Sequence, residues 1–319
     1  MEIRQATLQD IPEIIDLLKS SLGEKLMPKS EPFFIWKHFK NPFGESKILI
    51  AEQDSKIIGI RAFMYWNWVN CEEEVIAVRA VDTATDPMHQ GKGIFSKLTI
   101  KAVQECQQEG VSFVFNSPNP ISLIGYLKMG WYAIGKMPLY IGLASLFPRF
   151  FSEAKNEKSL SKFNLDIELS KLKDEFKLKL DTINFSTPIT KKFLNWRYRD
   201  CPVAKYGGVI EQGKFGVIFR LKKLNRFVEL RICELWIESP EGELEIQSAL
   251  KKIKREIRPV AITIAKCKLT ETNQRNIFNF WGPVKIGPNV TIRKINKENL
   301  TNFNEFYHWQ PSIGSMEIF

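Results

Sequence analysis

The sequence predicts an α/β protein built of two mixed-sheet α+β domains in tandem, and three observations predict it. A chain of 319 residues is long enough for two domains with cores of their own. Strand-like and helix-like periodicities alternate through its first half. Motifs of that half then recur in order: Phe34-Ile-Trp36-Lys-His-Phe-Lys-Asn-Pro42 resembles Leu194-Asn-Trp196-Arg-Tyr-Arg-Asp-Cys-Pro202 at an offset of 160. Ile50-Ala-Glu52-Gln53 parallels Val209-Ile-Glu211-Gln212, and Arg79-Ala-Val-Asp82 parallels Arg231-Ile-Cys-Glu234. Tyr126…Gly130-Trp131 parallels Phe278…Trp281-Gly282, the offset having drifted to 152. Four weak matches in one order argue for duplication. The expected domains are 1–150 and 151–319, with the lysine-rich stretch Glu153 to Lys162 as linker.

The first half supplies elements in sequence. Leu8-Gln-Asp10-Ile-Pro12 reads as a helix start, with Asp10 as N-cap, before Ile14, Ile15, Leu17 and Leu18 at helical spacing. Lys47 to Glu52 and Lys56 to Trp66 read as strands of a hairpin turning at Asp54-Ser55, and Glu74 to Thr85 as another strand. Gly93 to Glu109 reads as a helix, with Ile94, Leu98, Ala102 and Cys106 along one face and Gly110 as its stop. Val111 to Asn116 reads as a buried strand, and Ile121 to Met129 as a short helix ended by Gly130. Past the linker, Leu165-x-Ile-x-Leu and Phe176-x-Leu-x-Leu alternate like strands.

Two segments carry chemistry. In Asp86-Pro-Met-His-Gln90-Gly91-Lys92-Gly93-Ile94-Phe95 a strand ends, the chain turns, and a helix begins at Gly93. Glycines let a ligand approach the backbone, and a helix N-terminus presents N–H groups with partial positive charge, an arrangement suited to a diphosphate. The lysine is not followed by Ser or Thr, and no third glycine stands three residues on, so neither nucleotide-binding fingerprint applies. The second segment, Asn119-Pro-Ile-Ser122-Leu-Ile-Gly-Tyr126-Leu-Lys-Met-Gly130-Trp131, puts Asn119 at a strand end, its amide free to meet a ligand arm. Tyr126 follows on a short helix, where its hydroxyl can act as a general acid. Taken separately, an Asn in a turn and a Tyr in a core are the commoner reading.

Together these segments resemble the GNAT superfamily of acyl-CoA-dependent N-acyltransferases. That pattern has a strand, a Gly-x-Gly loop and a helix, then Asn-x-x-small-x-x-x-Tyr-x-x-x-Gly-aromatic, met here by Asn119, Ser122, Tyr126, Gly130 and Trp131. The resemblance covers roughly Ile3 to Ile141 and implies two GNAT-like domains in tandem. It implies that Thr83, Ala84 and Thr85 pair with the pantetheine arm of acetyl-CoA, with Asn119 and Ser122 near the same arm. Gln90, Gly91, Lys92, Gly93, Ile94 and Phe95 would hold the diphosphate, and Tyr126 would protonate the departing thiolate. Met88 stands where the family often has Gln or Arg, a side chain that a main-chain cradle does not need. The second half resembles a degenerate copy: Glu238-Ser-Pro-Glu241-Gly242-Glu243-Leu-Glu245 would repel a diphosphate, and Phe278 cannot donate a proton. It is expected to shape the acceptor cleft or stabilise the first half.

Composition bounds the rest. Five scattered cysteines without a Cys-x-x-Cys pair suit a reducing compartment rather than a disulfide framework, and with three histidines no metal site is expected. No apolar run is long enough for a membrane span, and Met1-Glu-Ile-Arg-Gln lacks a signal-peptide core, so the expected location is the cytoplasm. The net charge of +10 lies wholly beyond residue 150: residues 1–150 hold 16 Lys+Arg and 16 Asp+Glu, and the remainder 30 and 20. That asymmetry suits an acceptor bearing carboxylate or phosphate; nucleic acid is not the expected partner.

The expected function is an N-acetyltransferase moving an acetyl group from acetyl-CoA to a primary amine of a small or sugar-like acceptor. Asp82 is the preferred general base, with Glu72 to Glu74 as alternatives, and Arg79 either meets an acidic group of the acceptor or forms an internal ion pair. Two rivals stand beside it. One is a Fem-type aminoacyl-tRNA-dependent transferase, favoured by the basic second half and disfavoured by the intact loop. The other is a non-catalytic acyl-CoA-binding protein.

Overall fold

A computed structural model of the chain describes residues 1–23, 28–70, 73–142, 145–179, 184–265, 267, 280–296 and 305–316. In chain order the elements are β1 (Glu2–Gln5), α1 (Ile11–Leu22), α2 (Glu31–His38), β2 (Lys47–Gln53), β3 (Lys56–Asn70), β4 (Glu73–Thr85), α3 (Ile94–Gln108), β5 (Phe113–Asn116), α4 (Pro120–Lys128), β6 (Tyr132–Lys136) and β7 (Leu139–Gly142). There follow α5 (Glu153–Leu160), α6 (Leu165–Ser170), α7 (Lys191–Leu194), β8 (Gly207–Glu211), β9 (Phe215–Leu224), β10 (Phe227–Ile237), α8 (Pro240–Ile257), β11 (Ala261–Ala265), β12 (Trp281–Val284), β13 (Asn289–Lys294) and α9 (Ile313–Met316).

The chain forms two units, one of Met1–Gly135 with Asn289–Glu305 and one of Lys136–Pro288 with Phe306–Ile318. The first carries a seven-stranded sheet ordered β1-β2-β3-β4-β5-β13-β6. The β2–β3 hairpin turns at Asp54-Ser55, both with positive φ (51° and 58°), the backbone that a two-residue loop requires. β4 runs antiparallel to β3 and parallel to β5, so α3 crosses over between β4 and β5. Ile94, Leu98, Ala102 and Cys106 of α3 pack with Phe63, Val78 and Val114 on one face of the sheet. Ile14, Ile15 and Leu18 of α1 pack with Ile50, Ile60 and Ala62 on the other.

The second unit repeats the plan in a six-stranded sheet, β8-β9-β10-β11-β7-β12 read from the edge that corresponds to β2. β10 is antiparallel to β9 and parallel to β11, and α8 covers the face with Ile246, Leu250, Ile253 and Ile257 against Val217, Phe219 and Ile262. In each sheet the strand beside the parallel pair comes from the other half of the sequence: β13 beside β5, and β7 beside β11.

Several expectations are therefore corrected. The units do not meet at a cut near 150, because β7 belongs to the second sheet and β13 returns to the first. The supposed linker is helix α5, held where Arg149 donates to Ser159 Oγ and Asn156 Oδ1 at 2.6 Å each. Leu165 to Leu169 is helical rather than extended: Asn164 caps it through Asp166 N and Ile167 N, and Leu165 and Leu169 are buried one turn apart. Asp10 stands at the N-cap position of α1 as expected, but its carboxylate accepts from Arg4 and from Thr7 N rather than from the first turn of the helix. No helix among the described residues is long and apolar enough to cross a membrane.

Candidate active site

The site begins where two strands part. β4 pairs with β5 only at Ala77–Arg79, opposite Phe113–Phe115, while its ladder with β3 continues to Thr85. No described strand pairs with residues 80–85 on the β5 side, so Thr83, Ala84 and Thr85 lie on an open edge, the form of backbone that an extended amide-bearing ligand can pair with. The ladder also shifts here: Arg61 faces Thr83 and Ala62 faces Val81, which leaves Asp82 as the extra residue of a β-bulge, at φ 21°.

After β4, Asp86 ties the turn by accepting from Met88 N (2.9 Å), His89 Nδ1 (3.1 Å) and Lys56 Nζ (3.1 Å). The side chain of Gln90 donates to Thr85 O at 3.3 Å, so the loop folds back on the strand end. Gly91, Lys92 and Gly93 are exposed. Gly93 is the N-cap of α3 in the left-handed region (φ 75°), and a Cβ on Gly91 or Gly93 would meet nothing within 4 Å. The first backbone bond of α3 is Lys97 N to Gly93 O, so the N–H groups of Ile94, Phe95 and Ser96 have no partner within the helix. Open space, free donors and the positive end of a four-turn helix together form an anion cradle.

α4 brings in the second motif. Asn119 is its N-cap, with Oδ1 accepting from Ser122 N (2.8 Å) and Ser122 Oγ (3.0 Å). Half of the amide expected to be free is thus used locally; Nδ2 has no partner among the described residues. Gly125 sits against Phe95, whose ring stands edge-on to Tyr126 at 5.6 Å, and this contact joins the two motifs. Tyr126 is 3% exposed, packed with Trp131, yet its hydroxyl accepts a 2.6 Å hydrogen bond from Arg61 Nη2. It is both a core aromatic and the owner of a polar group at the level of the bulge.

Asp82 departs from its expected role. Its side chain faces α2, where Lys37 Nζ lies 2.8 Å and His38 Nε2 2.9 Å from Oδ2, and His38 Nδ1 meets Ser46 Oγ at 2.9 Å. Burial alone would raise the Asp82 carboxyl, but the Lys37 ammonium and the His38 ring outweigh it and hold it well below the usual carboxylate range. Burial lowers His38, leaving the imidazole neutral near pH 7 despite Asp82. A carboxylate so held has little affinity for a proton, and the case for Asp82 as general base loses its physical ground. Of the alternatives, Glu73 and Glu74 are exposed at the far end of β4 and Glu72 lies outside the described residues. Arg79 is buried with its guanidinium over the Phe115 ring, 5.7 Å from the centroid.

In the second unit the helix that follows β10 starts differently: it is capped by a side chain. Ser239 caps α8 by accepting from Gly242 N, and a Cβ on Gly242 would lie 2.0 Å from Lys214 O. Backbone of the β8–β9 turn thus packs against the third residue of α8, and Glu241 and Glu243 put negative charge in the first turn of the helix. Phe278 lies outside the described residues. Sequence reasoning missed Arg61 altogether; the available signal was a lone charge within the apolar run Ile57 to Met64.

Residues 2–134 match the family model described as an acetyltransferase (GNAT) domain. This segment is a GNAT domain, and the mixed sheets around it are those of the GNAT fold. A GCN5-related N-acetyltransferase from Anabaena variabilis is 13% identical, with a TM-score of 0.61 over 92% of this chain and 73% of its own. A probable N-acyltransferase from Enterococcus faecalis is 11% identical, TM-score 0.63, over 92% and 72%. Eis1 from Mycobacterium abscessus is 13% identical, TM-score 0.56, over 93% and 74%. At such identities the likeness is one of fold. No curated protein matches the chain.

Proposed function

We propose that the first unit transfers an acetyl group from acetyl-CoA to a primary amine of a small or sugar-like acceptor, including acceptors that bear an anionic group. The observation that carries this reading is the convergence, within one unit, of an open β4 edge, an uncapped helix start behind two open glycines, and a buried tyrosine hydroxyl level with the bulge. The pantetheine amides would pair along Thr83 to Thr85 and reach Asn119 Nδ2, with Ser122 holding the Asn119 side chain in place. The diphosphate would take the backbone N–H groups from Gln90 to Phe95, with Lys92 adding charge from solvent.

In the reaction the amine nitrogen forms a bond to the thioester carbonyl carbon and the C–S bond breaks. The electron pair of that bond leaves with sulfur, and the Tyr126 phenol supplies the proton that makes CoA a thiol. The proton that the amine nitrogen loses in becoming an amide passes to solvent, from which the phenolate is reprotonated. No covalent enzyme intermediate is invoked, since the free cysteines among the described residues (Cys106, Cys201, Cys233 and Cys267) are all buried. The second unit is read as a degenerate duplicate without a CoA site, supported by the Ser239 cap and the acidic first turn of α8.

The test is thiol release from acetyl-CoA across a panel of primary amines, with Tyr126→Phe as control. Loss of turnover on the order of 10²-fold at nearly unchanged CoA affinity is the expected result. CoA binding without turnover on any amine would instead leave the non-catalytic binding protein.

A further inference from the structure

Arg61 is a charged side chain in the core of the first unit, 0% exposed, with no carboxylate in hydrogen-bond or ion-pair contact among the described residues. Its Nε and Nη1 have no hydrogen-bond partner there. Three rings surround it instead, Phe63, Tyr126 and Phe95, at 4.9, 5.2 and 5.5 Å from the guanidinium carbon. Each such contact contributes roughly 0.5–2 kcal/mol, whereas burying an ion costs several kcal/mol, so a purely packing role is better filled by an apolar residue. Among the described residues the charge has its one polar engagement at the Tyr126 oxygen.

From this geometry we infer that Arg61 is a positioning residue for proton donation by Tyr126, resting on the acid role proposed above for that tyrosine. Arginine carries only donors, so at the 2.6 Å contact between Nη2 and Oη the phenol must be the acceptor. Its own O–H is then directed elsewhere, and it meets no acceptor among the described residues. Arg61 thereby fixes the polarity of the hydroxyl: the proton is kept off the guanidinium and left available to an incoming base, here the sulfur of the breaking C–S bond. When that proton leaves, the oxygen becomes a phenolate beside a guanidinium, and a neutral hydrogen bond turns into a charge-assisted one. The interaction strengthens as the reaction proceeds, which is the property that raises turnover rather than binding. The register places it correctly, since Arg61 pairs with Thr83 beside the bulge and on the open edge.

The experiment is a double-mutant cycle on the full chain, with acetyl-CoA and the amine selected by the panel above. Arg61→Met should lower kcat on the order of 10-fold or more with little change in KM for acetyl-CoA. In the Tyr126→Phe background the same change should alter kcat by less than about 2-fold, because the proton it positions is gone. Arg61→Gln, which keeps polarity without charge, repeats the cycle if the methionine variant does not fold. Unchanged kcat in the Arg61 variants, or an equal loss with and without Tyr126, overturns the inference while leaving Tyr126 as the acid. Full turnover by Tyr126→Phe alone defeats the acid reading itself.

Discussion

His38 Nε2 lies 2.9 Å from Asp82 Oδ2, tying the helix that follows Trp36 to the bulge of β4. The second unit repeats this clamp with other chemistry. Tyr198, two residues after Trp196 as His38 is two after Trp36, sets its hydroxyl 2.5 Å from Glu234 Oε1, and the β9–β10 ladder shifts between Ile232 and Glu234. The basic neighbours also correspond: Lys37 is bonded to Asp82, while Arg197 turns to Tyr206 Oη (2.9 Å) and Gly314 O (2.9 Å). Without a cation bonded to it, Glu234 holds its proton more tightly: burial lifts it to about 7, against the pull of Ser312 and Tyr198. An acid at or beside the bulge is thus held low by cations in the first unit and lifted by burial in the second.

Asp82→Ala removes the counter-ion of a buried ammonium, and the loss of one partner of a buried pair costs about 3–5 kcal/mol. Adding Lys37→Met, which replaces the stranded charge by an apolar stem, should recover most of that. Urea unfolding of the single and double variants measures both quantities. A single variant within about 1 kcal/mol of the parent would show that the pair contributes little.

Glu234 makes stability fall as pH rises. An unfolded glutamate loses its proton near 4.5, whereas the native one keeps it to about 7, so between these values the native state binds more protons. Stability is then fully present below about 4.5 and is lost as pH climbs through 7, by about 3 kcal/mol for this one group. Glu234→Gln leaves an oxygen for Tyr198 and Ser312 and does not titrate. The difference in unfolding free energy between variant and parent should therefore grow from pH 5 to 8; a flat difference contradicts the assignment.

Local patterns read well from the sequence because they depend on neighbours along the chain. The hairpin at Asp54-Ser55, the α3 face from Ile94 to Cys106 and the Gly93 helix start each follow from spacing alone. Contacts between distant segments did not. Arg61 and Tyr126 are 65 residues apart, and only the β3–β4 register and the packing of Phe95 on Gly125 bring them together. Asp82 looked like a base because a strand pattern shows a carboxylate but not the bulge that turns it toward Lys37. Boundaries failed for a topological reason: β7 and β13 are four and six residues long, and nothing within so short a strand says which sheet it joins.

Gly93 separates backbone strain from ligand crowding. At φ 75° a valine there costs about 1–3 kcal/mol, while asparagine tolerates the left-handed region. Since nothing of the protein lies within 4 Å of the position, both variants should fold. Gly93→Val should lose CoA binding by calorimetry, and Gly93→Asn should retain the fold at little cost in stability with weakened CoA affinity, its side chain entering the space of the diphosphate. Unchanged affinity in both would make the loop a turn only.

The last prediction concerns β13. It lies between β5 and β6 in the first sheet, with Val290 and Ile292 buried and Thr291 Oγ1 donating to the buried Asn116 Oδ1 at 2.6 Å. Arg293 from the same strand donates to Met129 O at 2.7 Å, and thereby holds the end of α4 that carries Tyr126. A fragment of residues 1–150 lacks this strand, exposes the edge of β5 along residues 113–116, and leaves Asn116 buried or half-buried without its partner, a loss of roughly 1–3 kcal/mol from that atom alone. Such a fragment should not bind CoA and should aggregate through the bare edge. Adding a synthetic peptide of residues 287–296 should restore a calorimetric CoA signal in proportion to peptide bound. A monomeric 1–150 fragment that binds CoA as the whole chain does, with no peptide present, would show that β13 is dispensable to the site.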